Sequence, residues 1–415
     1  MENKIKPIKV YRLRYVFELR NGYTPSKNDL SYWSGGTIPW FRMEDIRKNG
    51  RILSDSIQHI TSKAIKGGGL FSANSFILAT TATIGEHALL IADSLANQRF
   101  TNLKVRKSLM DKFDIKFLFY YMYKIGEWCK NSVNTTCFSS VNIDELKSQM
   151  IPLFTLSDQK AIAEYLDKAT AEIDKAIAQQ QHMIDLLNER KQIIIQRAVT
   201  KGLDENVEMK DSGVDWIGEI PAHWTVRKGK FIFNIVNNLS KTGEEELLTV
   251  SDKTGITPRS MKNVTMFMSE SLIGYKKCQV GDVCSNIMWM WHGAVGVTQY
   301  NGVISPSYGV YRQQRCYYND KYLDYLLRTP KLVQLYGVLS TGVNESRLRL
   351  YPNQFLDIPF FIPPLNEQTE IVSTIERNIT PIDEGIVRHQ QMINLLQERK
   401  QIIISEVVTG KIKVS

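Results

Sequence analysis

The feature that most constrains the fold is an internal repeat with an offset of 209 residues. Residues 183–195 read MIDLLNERKQIII and residues 392–404 read MINLLQERKQIII, so 11 of 13 positions are identical. The same offset aligns Gln159 with Gln368 and Ile173 with Ile382. Because similarity at a fixed offset indicates a repeated structural unit, the 415-residue chain is predicted to contain two tandem halves. Each half consists of a mixed, basic segment followed by a helical one.

Both copies of the repeat lie in segments whose apolar residues alternate at intervals of four and three. This spacing predicts long helices with a coiled-coil seam. Pro381 and Gly385 predict a kink or a break in the second helix near residue 380. The predicted seam residues are Ile162, Leu166, Ile173, Met183, Leu187 and Ile194 in the first copy and Ile371, Ile375, Ile382, Met392, Leu396 and Ile403 in the second.

A helix over about 157–199 would be roughly 60 Å long and would need a partner for its apolar stripe. The partner we favour is the repeated helix, paired antiparallel so that approximate two-fold symmetry relates the two halves. Alternatively, each helix packs on its own domain. The predicted class is α+β, with two globular α/β domains separated by two long helices. The predicted boundaries are 1–155, 156–203, 204–362 and 363–415.

The two globular segments combine short strands with helices rich in aromatic residues. Apolar runs between turn residues predict strands at 76–80, 88–91 and 102–105. Phe113, Phe117 and Tyr120 recur at helical spacing, which predicts a helix over 112–130, and residues 322–336 repeat this pattern. We interpret these aromatic side chains as core residues rather than as groups that stack on nucleobases.

The positive charge of the chain is concentrated in the two globular segments. Residues 1–155 and 206–362 carry net charges of +9 and +3, whereas residues 156–205 and 363–415 carry −2 and −1. A polyanion such as DNA would therefore bind the globular segments rather than the helices. A basic pI does not by itself identify a nucleic-acid-binding protein, because many basic proteins bind none.

The motifs of several enzyme classes are missing. The sequence contains no phosphate-binding P-loop, no dinucleotide fingerprint, no H-E-x-x-H and no G-x-S-x-G. The Asn/Asp-Pro-Pro-aromatic motif of amino-methyltransferases does not occur either. Glu189-Arg-Lys191 and Glu398-Arg-Lys400 match part of a metal-dependent nuclease motif, but both lie within predicted helices. We interpret them as solvated or helix-pairing residues and predict no catalytic residue in this chain.

The cysteines, histidines and apolar runs predict no metal site and no membrane segment. The five cysteines lack the paired C-x2-C spacing of zinc sites, and the six histidines are dispersed. No run of 18 apolar residues is present. This pattern fits a reducing, cytoplasmic compartment.

Several motifs accompany the duplicated architecture at the helix entries, between the halves and inside the first half. They are Leu156-Ser-Asp-Gln159, Pro363-Pro-Leu-Asn-Glu-Gln368, residues 206–224 with their Trp-Ile-Gly and His-Trp motifs, Ile38-Pro-Trp-Phe-Arg-Met-Glu-Asp-Ile46 and Thr81-Ala-Thr-Ile-Gly85. In these features the chain resembles the specificity (S) subunit of type I restriction–modification systems. The resemblance covers essentially the whole chain. The first half departs from the pattern because it lacks the Trp-Ile-Gly…His-Trp leader and has Phe154-Thr155 in place of Pro363-Pro364.

The resemblance implies a non-catalytic DNA-binding scaffold. Each globular domain would be a target recognition domain that reads one half of an asymmetric, bipartite DNA site. The paired helices would set the spacer length and dock two modification subunits, which bind S-adenosylmethionine and methylate adenine. Restriction subunits that use ATP would join the same complex. S-adenosylmethionine, ATP and Mg²⁺ would therefore belong to the partner subunits, and this chain would bind no cofactor.

Candidate DNA-binding residues lie in loops of the two globular segments. Lysine and arginine hold phosphates, while amide, hydroxyl and guanidinium groups read base edges. The alternative for each polar loop residue is plain solvation. A tryptophan near a strand end could also support a distorted base, since the methyltransferase flips its adenine. The candidates are Arg42, Lys48, Thr80, Thr81, Thr83, Asn131, Asn134, Thr135, Thr136, Ser139 and Ser140 in the first segment and Ser251, Lys253, Trp289, Trp291, His292, Asn344, Ser346, Arg347 and Arg349 in the second.

Two other classes of function compete with the scaffold hypothesis. A nuclease or methyltransferase acting alone would need the catalytic motifs that are missing. A coiled-coil adaptor without DNA specificity would not need basic charge concentrated in two loop-rich segments. Sequence-dependent, salt-sensitive DNA binding would exclude the adaptor, because a non-specific basic patch shows the salt dependence without a preferred site.

Overall fold

A computed structural model describes residues 5–132, 140–262, 269, 271–344 and 347–414. The chain forms two compact units, one made of Met1–Gln181 with Gln391–Ser415 and the other of His182–Gln390. The units mix helices with small sheets and include two long helices, which confirms the predicted fold class. Within the described residues, no helix is long and apolar enough to cross a membrane.

The first unit contains ten strands and four short or medium helices before the first long helix, among its described residues. The strands are β1 (Lys9–Arg12), β2 (Phe17–Asn21), β3 (Ile38–Phe41), β4 (Ile52–Leu53), β5 (His59–Ile60), β6 (Ser75–Ala79), β7 (His87–Leu90), β8 (Leu95–Ala96), β9 (Phe100–Val105) and β10 (Met150–Leu153). The helices are α1 (Leu13–Val16), α2 (Met43–Asn49), α3 (Ile115–Ser132), α4 (Ile143–Ser148) and the long α5 (Leu156–Lys201).

A five-stranded sheet with the order β2-β9-β6-β7-β4 forms the centre of the first unit. The strand β6 is buried along its whole length because core clusters cover both faces. Phe76 and Leu78 face the aromatic residues of α3, whereas Ile77 and Ala79 face a second cluster around Trp40. A strand covered on both sides needs an uninterrupted apolar run, which the sequence Ser75–Ala79 supplies. The predicted strands and the helix with aromatic core residues are therefore confirmed.

The second unit contains twelve strands and three shorter helices between the long helices, among its described residues. The strands are β11 (Met209–Asp211), β12 (Glu219–Pro221), β13 (Thr225–Lys228), β14 (Phe233–Ile235), β15 (Leu248–Ser251), β16 (Gly255–Pro258), β17 (Lys276–Cys278), β18 (Val283–Ser285), β19 (Val295–Val297), β20 (Gly302–Ile304), β21 (Gly309–Gln313) and β22 (Pro359–Ile362). The helices are α6 (Asp320–Leu327), α7 (Pro330–Leu339), α8 (Pro352–Asp357) and the long α9 (Leu365–Val408).

The main sheet of the second unit has the order β14-β21-β18-β19. Its core includes Trp224, Tyr322 and Tyr336, all fully buried. The aromatic pattern of residues 322–336 forms two helices, α6 and α7, where the sequence indicated a repeat of one. The chain breaks at Thr329 because a proline disfavours helical geometry in the residue before it, and Pro330 then opens α7.

The repeat is visible in equivalent contacts within each unit. In the first, Val10 of β1 pairs with Pro152 of β10, and in the second, Val226 of β13 pairs with Phe361 of β22. Pro152 and Phe361 are separated by the offset of 209 residues. Each unit thus places an early strand, β1 or β13, beside the strand that leads into a long helix.

Two fully buried glutamines hold the starts of the long helices. The Gln159 amide NH₂ donates to the carbonyls of Lys112 and Phe154, each at 2.9 Å, and its carbonyl accepts from the Asp114 N–H at 2.8 Å. Gln368 makes the equivalent bonds, donating to the carbonyls of Tyr317 and Pro363 and accepting from the Asn319 N–H. One amide side chain therefore satisfies three backbone groups in each unit.

Each unit also contains an antiparallel pair of long-helix segments. In the first, Asp174 of α5 accepts two hydrogen bonds from Lys400 of α9, each at 2.7 Å. In the second, Asp383 accepts from Lys191 at 2.6 and 2.8 Å. The offset of 209 relates the two aspartates to each other and likewise the two lysines. The lysine of each Glu-Arg-Lys motif thus pairs helices, as one of the two sequence interpretations expected.

The apolar seam changes phase in the middle of each long helix. The predicted seam residues Met183 and Met392 are 41% and 47% exposed, whereas Ile184 and Ile393 are buried. The buried isoleucines follow Ile173 and Ile382 by 11 residues, and an 11-residue spacing fits 3.67 residues per turn. A strict seven-residue pattern drifts by about 20° per heptad on a straight helix. The isoleucine that follows each methionine therefore takes its place in the buried seam. The other predicted seam residues are buried or half-buried.

The sequence predicted a kink or a break near residue 380, and the break does not form. Pro381 lies inside α9, which runs without interruption from Leu365 to Val408. Ile379 and Ile382, on either side of the proline, are both buried. This packing offsets the missing backbone hydrogen bond, since tertiary contacts contribute more to helix stability than local propensity.

Candidate nucleic-acid interface

In the first unit, the candidate loop between β6 and β7 meets the segment that follows residue 139. Thr81 forms an antiparallel bridge with Ser140, and the Thr80 carbonyl accepts from the Val141 N–H at 2.9 Å. The hydroxyl of Thr80 is buried and lies 3.1 Å from that of Thr101, so Thr80 supports the loop from inside. The structure therefore brings Thr81 and Ser140 together at the surface and leaves Thr80 in the interior.

Backbone conformation fixes the direction of this loop. Ala82 has a φ of 62°, in the left-handed region that non-glycine residues rarely occupy, and its side chain is exposed. Gly85, with a φ of 84°, packs against Gly126 of α3 so closely that an added Cβ would lie 2.2 Å from the Gly126 carbonyl oxygen. Strained residues that the surrounding structure holds in place are typical of functional sites.

Replacing Gly126 by alanine is expected to displace this loop. The new Cβ would lie 2.3 Å from the Gly85 carbonyl oxygen, which is backbone and cannot rotate away. Overpacking of this kind costs about 1–3 kcal/mol, so the midpoint of urea unfolding should fall. The matched control is Gly337→Ala in α7, where no atom lies within 4 Å of the new methyl. Unchanged or raised stability of the Gly126→Ala variant would show that the loop is not held by this contact.

A buried histidine supports the other side of the loop. His87 is almost fully buried, its ring lies 4.5 Å from that of Tyr123, and its Nδ1 lies 3.4 Å from an Arg51 nitrogen. Glu86 forms ion pairs with both Arg51 and Lys130. Burial lowers the pKa of His87 well below its ordinary value, and the Arg51 cation lowers it further. The imidazole is therefore neutral at pH 7 in the folded unit.

The neutral His87 predicts acid sensitivity of the first unit. The unfolded chain binds a proton near the ordinary histidine pKa of about 6.5, whereas the folded unit does not. Stability is therefore fully present above that pH and falls as the pH drops below it, by at most about 1.4 kcal/mol per pH unit. Urea unfolding between about pH 7.5 and pH 5 measures this slope. A His87→Gln variant should show a smaller slope; an equal slope would mean that other groups cause it.

The remaining candidates of the first unit lie on other elements. Arg42 precedes α2 and pairs with Glu44 at 2.8 Å, with its guanidinium carbon 5.9 Å from the Trp40 ring centre. Lys48 and Asn131 are exposed near the ends of α2 and α3. Thr83 is half-buried, and its hydroxyl has no hydrogen-bond partner among the described residues. Asn134, Thr135, Thr136 and Ser139, and Ser346 of the second segment, lie outside the described residues.

In the second unit, Trp289, Trp291 and His292 form a stack in the turn between β18 and β19. The ring centres of the two tryptophans lie 6.2 Å apart with an interplanar angle of 10°, and the His292 ring lies 3.8 Å from that of Trp291. The buried Met290 and Gly293, with a φ of 91°, hold the base of the turn. The segment Gly293-Ala-Val-Gly296 resembles Ala82-Thr-Ile-Gly85 of the first half, and both Gly293 and Ala82 adopt left-handed backbone conformations.

A second loop, residues 341–349, starts and ends beside this turn. Thr341 and Arg349 close the loop through two backbone hydrogen bonds of 2.9 Å. The next residue, Leu350, donates its N–H to the carbonyl of Ile287 at 3.0 Å, which ties the loop to the aromatic turn. Arg347 and Asn344 are exposed on the loop. The structure thus ties the candidate loop that carries Asn344, Arg347 and Arg349 to the turn that carries Trp289, Trp291 and His292.

The third candidate group of the second unit belongs to the β15–β16 hairpin. Arg328, at the end of α6, donates to the carbonyls of Asp252 and Lys253 at 2.8 and 3.0 Å and holds the hairpin there. Lys253 is exposed and Ser251 is half-buried. The supporting residues Gly126, Arg51 and Arg328 were missed by sequence reasoning, since only the folded chain shows which loops they contact.

No group of three or more histidine, cysteine, aspartate or glutamate residues within the described parts of the chain could hold a metal ion. The cysteines Cys129, Cys278, Cys284 and Cys316 are free thiols.

Comparison with known proteins agrees with this architecture. Residues 5–181 match the family model described as type I restriction modification DNA specificity domain. The chain is 51% identical over 166 residues to the EcoprrI type I restriction enzyme specificity subunit of Escherichia coli, an alignment that covers 38% of this chain and 41% of that subunit. It is 22% identical over 392 residues to the MjaVIII specificity subunit of Methanocaldococcus jannaschii, covering 91% and 87%.

The fold agrees with a solved chain from a study of complex assembly and conformational transition in a type I restriction–modification system. That chain has 15% sequence identity and a TM-score of 0.65, and the match covers 99% of this chain and 100% of that one. Residues 5–181 therefore match a type I restriction modification DNA specificity domain. Over most of its length the chain is similar to specificity (S) subunits of type I restriction–modification systems. The aligned part of the chain spans less than half the length of the EcoprrI specificity subunit.

Proposed function

We propose that this chain is the sequence-specific DNA-binding subunit of a type I restriction–modification complex. Each globular segment reads one half of an asymmetric, bipartite site. The observation that carries this proposal is the pair of rigid hairpin loops, 80–86 and 286–294, that present candidate reading groups. Each has a left-handed residue, and each packs a glycine on a helix, Gly85 on α3 and Gly293 on α7. Preorganised loops suit base-edge recognition, and the net positive charge of both segments suits phosphate binding.

The four segments predicted from the sequence have separate roles in this proposal. Residues 1–155 and 204–362 are the recognition domains, and residues 156–203 and 363–415 are the helical spacers. The antiparallel contacts Asp174–Lys400 and Asp383–Lys191 support helix pairing. A rigid helical spacer would fix the number of unread base pairs between the half-sites.

The helices also present an exposed apolar stripe. Leu186 and Ile193 of α5 are 44% and 59% exposed, and the residues at the repeat offset, Leu395 and Ile402 of α9, are 59% and 50% exposed. Met183 and Met392 lie on the same faces. We name this set of six residues the duplicated stripe. A repeated, exposed apolar surface suits a partner that binds twice, and we assign it to two modification subunits.

The chain itself is non-catalytic in this proposal. Modification subunits bind S-adenosylmethionine, restriction subunits bind ATP and Mg²⁺, and the complex works in the cytoplasm. The missing catalytic motifs support this division of roles. Methylation or cleavage of DNA by the purified chain with S-adenosylmethionine and Mg²⁺, in the absence of partners, would contradict it.

Selection of bound duplexes from a random pool tests the DNA-reading role directly. We expect the purified chain to enrich two different half-sites at one fixed separation, with affinity that falls steeply as salt rises. Arg347→Ala should weaken binding to the selected site by about 1–3 kcal/mol, or roughly 5- to 150-fold. Arg377→Ala, on the exposed face of α9, is the control and should change little. Salt-dependent binding without an enriched motif would favour the adaptor hypothesis.

A further inference from the structure

The aromatic turn of the second unit has an exposed surface that packing does not explain. Trp289 is 54% exposed, although large aromatic residues are mostly buried. Its ring stacks on Trp291 with an interplanar angle of 10° and on His292 at a centre-to-centre distance of 5.2 Å. We call Trp289, Trp291 and His292 the aromatic platform. The three rings pack against one another with interplanar angles of 10°, 24° and 34°, and the exposed Trp289 ring leaves aromatic surface open to solvent.

The platform is preorganised by the residues beneath it. The indole N–H of Trp291 donates to the Met288 carbonyl at 3.0 Å, and Met290 is fully buried in the main core. An added Cβ at Gly293 would lie 3.2 Å from Val333 of α7, so the turn sits directly on that helix. The rings therefore need little reordering before a ligand binds, which lowers the entropic cost of binding.

The surroundings of the platform indicate a nucleic acid as its ligand. Helix α7 contacts the turn through Val333, and the loop that follows α7 returns to the turn through the Leu350–Ile287 hydrogen bond. This loop also carries the exposed Arg347. An aromatic surface on a turn that is tied to a loop with a guanidinium group suits a base and its phosphate, because bases stack on aromatic rings while cations hold the backbone.

We propose that the aromatic platform stacks on an unpaired nucleobase. A base inside a duplex already stacks on its neighbours, so the platform can contact its face only where the helix is opened. The platform thereby favours opened DNA over a perfect duplex, while the other loops bind the duplex itself. This inference rests on the proposed DNA-binding function and adds to it a specific role for Trp289.

The test compares two single strands that differ only in their bases. One is an oligothymidine of about 20 residues, and the other is an abasic strand with the same number of phosphates. A mixed-sequence duplex of similar length measures general DNA binding. Binding of the full chain is followed by fluorescence anisotropy at low salt, about 50 mM, where phosphate contacts are strong.

We expect the wild-type chain to prefer oligothymidine over the abasic strand by about 5- to 150-fold, the effect of stacking one base. Trp289→Ala should remove this preference by weakening oligothymidine binding, whereas binding of the abasic strand, which has no base to stack, should change by less than about twofold. Trp289→Phe should keep most of it, because a ring remains. The matched control is Phe231→Ala, which removes a 56% exposed ring from the same unit and should change nothing.

Three results would overturn the inference. A Trp289→Ala variant that keeps the wild-type preference, or a wild-type chain without any preference, would show that the platform does not bind a base. Loss of a protein partner by Trp289→Ala with unchanged nucleic-acid binding would assign the platform to that partner. A wild-type chain that binds neither single strand nor duplex would contradict the proposed DNA-binding function as well. A chain that binds the duplex but shows no preference for oligothymidine would contradict only the role of the platform.

Discussion

Replacing Gln159 by leucine is expected to lower the free energy of unfolding of the first unit by about 3–6 kcal/mol. Gln159 is fully buried and satisfies the Asp114 N–H and the carbonyls of Lys112 and Phe154. Leucine has a similar size but no polar group, so all three backbone groups would be buried without a partner. Each such group costs about 1–3 kcal/mol, and the greater hydrophobicity of leucine offsets part of the total.

Urea unfolding followed by circular dichroism measures this loss, and hydrogen exchange locates it. Exchange should rise in the first unit, because α3, the strand β10 and the start of α5 meet at Gln159. The control is Gln179→Leu, an exposed glutamine on the same helix, which should change stability by less than about 0.5 kcal/mol. The Gln368→Leu variant should produce the same loss in the second unit. Equal stability of Gln159→Leu and wild type would show that these bonds contribute little.

Introducing aspartate into the duplicated stripe is expected to remove modification subunits one at a time. In the proposed assembly, Leu395→Asp places a charge in one docking surface and Leu186→Asp places one in the other. Loss of a buried apolar residue at the centre of an interface costs about 2–4 kcal/mol, or roughly 30- to 1000-fold in affinity. Both leucines are at least 44% exposed in the chain alone, so its own stability should change little.

Mass measurement of the co-purified complex follows the number of modification subunits. We expect two with the wild-type chain, one with either single variant and none with the double variant. Asn188→Asp and Gln397→Asp are matched controls, since both side chains are exposed and lie about 200° around the helix from the stripe. If the double variant still binds two modification subunits, the docking surface lies elsewhere on the chain.

The sequence predicted the repeated parts of the fold because their signals are local. The offset of 209 residues and the helical spacing of the apolar residues predicted both long helices. The phase of the seam could not be followed past Ile173, because a seven-residue pattern drifts on a straight helix. Pro381 does not break α9, although the sequence predicted a kink or a break there. The buried side chains of Ile379 and Ile382 stabilise the helix on both sides of the proline.

The candidate site was predictable only in outline. Polar loop composition predicted the β6–β7 loop but not the left-handed conformation of Ala82. The apolar run over residues 288–291 fitted either a core strand or exposed tryptophans near a strand end, and it forms a turn. The contact between Gly85 and Gly126 joins residues 41 positions apart, so no local pattern contains it. The stacking of Trp289 on Trp291 likewise depends on a turn that Met290 anchors in the core. Long-range packing therefore decides which loop residues face outward.

The central claim is that this chain determines where a type I complex modifies DNA, and mapping adenine methylation in cells tests it most directly. The chain would be expressed with the modification subunit encoded beside it, in a host that lacks both. We expect methylation at one asymmetric, bipartite motif with a fixed spacer. Gly126→Ala should relax one half-site only. A stable complex that produces no new methylation, or methylation without a bipartite motif, would contradict the claim.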